Sequence, residues 1–81
     1  MFILDQEGKN LFNIEQFFSI SQVTMEWLKK PFIIQANIVT VDSKKSFNLG
    51  QYKNENEAND IFKAIIRGIK ASDEVFVMPK E

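Results

Sequence analysis

Hydrophobic and polar residues change rhythm several times along this chain, and each rhythm points to an element. Phe2-Ile3-Leu4 is a short apolar run. Asp5-Gln6-Glu7-Gly8 follows and suits a hairpin turn, with Gly8 at the position of positive φ. Further on, Phe12, Ile14, Phe18 and Ile20 share one parity and Asn13, Glu15 and Ser19 the other, the period of two that marks a half-buried strand. Phe17 interrupts that alternation. Helical spacing also fits part of 11–23, so strand and helix both stand, with strand favoured. In Thr24 to Lys30, Met25 and Trp27 alternate with Glu26, and Pro31 then argues against a continuous helix.

The clearest strand is "PFIIQANIVTVD". Ile34, Ala36 and Ile38 fall on one face; Ile33, Val39 and Val41 fall on the other. Asp42 to Lys45 forms a polar turn, and Phe47 and Leu49 then alternate against Ser46 and Asn48. These two segments predict a β-hairpin. The rhythm next changes from two to 3.6: Ala58, Ile61, Phe62, Ile65, Ile66 and Ile69 recur at three- and four-residue spacing, the stripe of an amphipathic helix over about 55–71. Asn54 is a favoured N-cap, and Glu57 three residues later gives a variant of the capping box. Acidic residues sit early in this helix and Lys63, Arg67 and Lys70 late, which complements its dipole. "EVFVMPK" predicts a short final strand stopped by Pro79. The expected fold is α+β in one domain, 1–81: an antiparallel sheet of four to five strands, one helix after the main hairpin, and a short C-terminal strand.

Composition narrows the chemistry. The 81 residues include no Cys and no His, so disulfides, thiolate nucleophiles and the commonest general base and metal ligand are missing. No loop carries the acidic spacing of a calcium site, and no cofactor is expected. A chain without Cys fits a reducing compartment, so the expected location is cytoplasmic. Hydrophobic residues make up 44% and aromatics 12%, enough for a packed core. No run approaches a membrane span, and the first residues do not have the form of a signal peptide. With a net charge of −1 and no basic stripe, nucleic acid is a weak candidate partner.

One junction invites a binding hypothesis. In "GQYKNENEAND", Gly50 ends a strand and Asn54 opens a helix, whose free N–H groups could hold an anion. Three acidic residues in the first turns would repel a phosphate, and there is no Lys or Arg in the first turn. The expectation is structural: Gly50 relaxes the strand end, Tyr52 packs against the helix, Asn54 and Glu57 cap it. The apolar surplus bears more directly on function. If the helix covers one sheet face, then Ile33, Val39 and Val41, with Phe17 and Trp27 as companions, form a partner interface on the other. Folding of the N-terminal strands over that face is the alternative.

The C-terminal half resembles a group of small proteins encoded by phages, prophages and mobile elements of low-GC Gram-positive bacteria. The matching residues are Leu49-Gly50-Gln51-Tyr52, Glu57-Ala58 ahead of the amphipathic helix, and Met78-Pro79, with Lys80 set before the final Glu81 as a departure. The resemblance implies a setting in mobile elements and an α+β fold; it supplies no functional residue. Together these observations lead to the expectation of a non-enzymatic protein that binds a host or phage protein, such as a defence nuclease, or a second copy of itself as a homodimer. The alternatives are a homo-oligomer holding a nucleotide-like ligand with Tyr52, Arg67 and Lys70, and a weak nucleic-acid binder.

Overall fold

A single 3₁₀ turn divides the molecule. The computed structural model describes all residues from Met1 to Glu81. In it β1 (Phe2–Leu4) turns back into β2 (Leu11–Asn13), and the chain then tightens at Ile14–Gln16, where the Asn13 side chain accepts a hydrogen bond from the Glu15 N–H at 3.2 Å. The alternation read through this region therefore breaks, and the strand resumes only as β3 (Ser19–Thr24). Phe17 falls off parity because it follows that turn. β4 (Phe32–Val39), β5 (Lys44–Tyr52), α1 (Glu55–Lys70) and β6 (Val75–Val77) complete the chain.

The α+β class and the position of the helix agree with the sequence. The single sheet of four to five strands does not. There are two sheets of three strands, ordered β2-β1-β6 and β3-β4-β5. In the smaller one β6 lies parallel to β1, pairing Phe2 with Val75 and Leu4 with Val77. The chain ends thus build a sheet of their own, a pairing that local patterns do not reveal. No helix is long and apolar enough to cross a membrane.

The β4–β5 hairpin forms as expected, with one irregularity. Ile34 pairs with Gly50 and Gln35 with Asn48, which leaves Leu49 as a bulge. The extra residue allows Leu49 and Tyr52, three positions apart, both to be fully buried. The core joins Ile3 of the small sheet, Ile34, Ala36, Leu49 and Tyr52 of the large one, Ala58, Ile61 and Ile65 of α1, and Met78. Phe12, Phe17 and Phe47 pack beside it with ring centroids 5.8–5.9 Å apart.

The helical stripe is narrower than its sequence implies. Ala58, Ile61, Ile65 and Gly68 are buried, whereas Ile66 and Ile69 remain exposed. Gly68 lies in the buried part, where a Cβ would stand 2.7 Å from the tip of the Met1 side chain, which would have to shift. The helix ends in a Schellman motif: Asp73 N–H donates to the Gly68 carbonyl at 3.0 Å and Ser72 N–H to that of Ile69 at 3.1 Å. Ser72 sits at φ 57°, which costs an L-residue about 1 kcal/mol. Ser72→Gly is therefore expected to stabilise the protein by about 0.5–1 kcal/mol. Urea unfolding at neutral pH, with an unchanged slope and a higher midpoint, is the check.

Candidate functional site

The strand-to-helix junction is a clasp. Tyr52 is fully buried, and its hydroxyl donates to the Pro79 carbonyl at 2.9 Å. Gly50 is needed for room and not for an unusual backbone angle: a Cβ there would lie 2.7 Å from the Tyr52 hydroxyl oxygen and 3.1 Å from the Met78 Cε. The Asn54 side chain accepts from the N–H groups of Asn56 and Glu57 at 2.8 and 3.3 Å. Glu57 makes no hydrogen bond back to the Asn54 N–H, so half of the capping box forms. Burial, then the nearby carboxylates of Glu57 and Glu81, push the Tyr52 phenol up to about 12. A phenol so enclosed is closed to ligands. Arg67 lies about 18 Å along the helix from its first residue, so Tyr52, Arg67 and Lys70 do not converge.

The five residues expected to form a partner interface are dispersed. Phe17 joins the aromatic cluster, and Ile33 is buried. Trp27 stands in the loop between β3 and β4, while Val41 is fully exposed in the turn beyond β4, so a strand of about 27 Å separates them. Val39 pairs with Lys44. Cross-strand register puts Ser19, Ser21, Gln35, Asn37, Ser46 and Asn48 on the face intended for the apolar patch. Asn37, buried there, donates to Ser19 and Ser21 at 3.0 and 2.9 Å and accepts from Ser46 at 2.7 Å. That face is polar because short polar residues line both flanking strands, opposite β4's Gln35 and Asn37.

Apolar surface gathers elsewhere. In the small sheet the register directs Ile3, Phe12 and Phe76 inward and Phe2, Leu4, Leu11, Val75 and Val77 outward. Phe2, Leu11, Val75 and Val77 are 41–59% exposed, with only Asn13 polar among the outward positions. The β1–β2 turn behind this face is held together by Asp5. Both oxygens of buried Asp5 accept hydrogen bonds, from the N–H groups of Lys9 and Asn10 at 2.9 and 3.2 Å and from the Asn10 side chain at 2.7 Å. Burial raises the Asp5 carboxyl, but these bonds outweigh it and hold the group below its ordinary value.

A second apolar surface is a groove of about 330 Å³ between α1 and the start of β3, walled by Phe17, Phe18, Ile20, Phe62, Ile66 and Ile69. Sequence reasoning missed both surfaces. The alternation of Phe2 with Leu4 and of Val75 with Val77 could have flagged the first; Ile66 and Ile69, at the margin of the helical stripe, could have flagged the second. The largest concavity, about 650 Å³ beside Glu57, Asp60 and Glu81, is an open trough with two hydrophobic lining residues, and it lacks an apolar floor on which to seat a partner. No three His, Cys, Asp or Glu side chains cluster as a metal site.

Tyr52→Phe tests the clasp. It is expected to cost about 1–2 kcal/mol at pH 7, by leaving the Pro79 carbonyl without its donor. In the native chain the unfolded phenol ionises near pH 10, before the folded one at about 12. Stability from this group is thus constant below pH 10 and falls as pH rises from 10 to 12. Denaturant midpoints across that range should show the loss in the native chain and its absence in Tyr52→Phe. No protein-family model, curated protein or solved structure matches the chain.

Proposed function

We propose that this chain is a non-enzymatic interaction protein, acting by stoichiometric binding to another protein through the outer face of the small sheet. The observation that carries this reading is that face itself: Phe2, Leu4, Leu11, Val75 and Val77 on one side of three paired strands, with no charged residue among them. Contiguous exposed apolar surface is a mark of association. A cluster of this kind has the size of an energetic hot spot at the centre of a larger contact. The polar groups of the other sheet support the reading too, since the Asn37 side chain and its three serines bond to one another and do not converge on a cavity.

The resemblance to phage and mobile-element proteins gives the proposal its setting. The partner is a host factor or another phage component in the bacterial cytoplasm, and blocking a defence nuclease is one way such binding would serve the element. Self-association is the other half of the proposal.

Native mass spectrometry of the tagged chain, expressed in a low-GC Gram-positive host and released gently, should reveal a partner at fixed stoichiometry. Leu11→Asp combined with Val75→Asp is expected to weaken that complex about tenfold to a hundredfold, because two exposed anchors become charged. Circular dichroism should remain unchanged. Val39→Asp with Val41→Asp, placed at the β4–β5 turn, is expected to keep the partner. A folded Leu11→Asp/Val75→Asp chain that binds as tightly as the native one would overturn this assignment.

A further inference from the structure

The two edges of the larger sheet are treated differently. The outer edge of β5 begins with Lys44 and Lys45, carries the Leu49 bulge, and is covered by Gln6. The Gln6 N–H donates to the Leu49 carbonyl at 2.8 Å, and its side chain accepts from the Gln51 N–H at 2.8 Å and donates to the Gln51 carbonyl at 3.0 Å. Charge, bulge and cover are the usual means by which an edge strand is kept from pairing. β3 has none of them. Its sequence, Ser19-Ile20-Ser21-Gln22-Val23-Thr24, contains no charge, no proline and no bulge, and its only strand partner is β4. Six residues make an open edge of about 20 Å.

The surroundings of this edge are also exposed. Phe18, just before β3, is 78% exposed, and Trp27, just after it, is 80% exposed. The groove walled by Ile66 and Ile69 lies at the Phe18 end. Beyond Ile14 and Ile69 that end is rimmed by Glu15, Asp73 and Glu74, of which Glu15 lies 4.0 Å from the N-terminal amine. At the other end of β3 the loop carries Lys29 and Lys30 against Glu26, and Glu55 of α1 lines the cleft beside Val23 and Thr24. Lys30 is 3.3 Å from Glu81, which leaves Lys29 as the cation of the loop without an ion pair.

We infer that β3 is the pairing edge of a symmetric homodimer, in which a second copy adds its own β3 antiparallel to the first and the two sheets become one of six strands. Self-complementarity selects a second copy over a foreign strand. A two-fold axis normal to the sheet, setting Gln22 opposite its own copy, leaves the core faces of both copies on the same side. It brings the loop of one copy that carries Trp27 and Lys29 to the acidic, Phe18-bearing end of the other, at both ends at once. No like charges meet along the strands, because neither has any. Phe18 and Trp27 hold about 300 Å² of exposed aromatic surface per chain. With the strand edge and the groove they carry the contact toward the roughly 800 Å² per partner of a stable interface. The inference deepens the self-association half of the proposed function but uses a different surface from the small-sheet face, so either can fail alone.

Sedimentation velocity over a range of concentrations is the test. The native chain, 9.4 kDa as a monomer, is expected to sediment as a dimer whose dissociation constant rises with salt. Gln22→Lys, which sets like charges beside the axis, and Trp27→Ala are each expected to raise that constant about tenfold or more while circular dichroism is unchanged. Glu15→Lys and Lys29→Glu should each weaken the dimer, and the two together should restore it, an outcome that general destabilisation does not produce. Leu11→Asp with Val75→Asp should leave the dimer intact even where it abolishes partner binding. A native chain that stays monomeric at about millimolar concentration overturns the inference, as does a dimer indifferent to Gln22→Lys and Trp27→Ala or one lost through Leu11→Asp with Val75→Asp.

Discussion

Tyr52 must be buried with its hydroxyl still hydrogen-bonded, and much of the fold follows from meeting that requirement. A buried phenol without a partner would cost more than its packing returns. The acceptor is the Pro79 carbonyl, twenty-seven residues away. Bringing it into place draws the C-terminal segment back past the end of β5, so that Met78 fills the core beside Gly50. The same path lays β6 alongside β1 and completes the small sheet. Leu49 to Tyr52 and Met78-Pro79 are therefore two halves of one contact. Each loses its reason without the other.

Closing the fold with its own chain ends has a consequence for the surface. Three strands of three residues have an inner and an outer face, and Ile3, Phe12 and Phe76 are taken by the core. Polar residues on the outer face would have made the small sheet a simple lid. Apolar ones leave it an exposed hydrophobic face. On the larger sheet the division is of another kind: its open face is polar and internally bonded around Asn37, and its unprotected feature is the edge of β3. Association through a face and association through an edge are separable, since one depends on side chains and the other on backbone groups.

The helix and the main hairpin were legible because their signals are local. Asn54 caps within three residues, the stripe from Ala58 to Ile65 repeats within two turns, and β4 and β5 are joined by a short polar turn. Gly8 at φ 73° in the first turn was legible for the same reason. The expected single sheet failed at Ile14–Gln16, where a 3₁₀ turn capped by Asn13 re-aims the chain, and Phe17 off parity was its one visible trace. Ile33, Val39 and Val41 do not make a continuous apolar face, because the strands that flank β4 contribute serine and asparagine to it.

By itself, the sequence determined which residues share a side: Phe2 with Leu4, Val75 with Val77, Ile34 with Ala36, Ala58 with Ile61 and Ile65. Strand and helix periods follow from backbone geometry, which every residue carries locally. Only the tertiary structure decided which of those sides is covered. Ile65 is buried and Ile66 exposed, Ile3 buried and Phe2 exposed, because cover comes from strands and side chains distant in sequence. The pairing of β6 with β1 is made by backbone bonds between distant segments, Phe2 N–H to the Glu74 carbonyl and Met78 N–H to that of Leu4, that no local pattern contains.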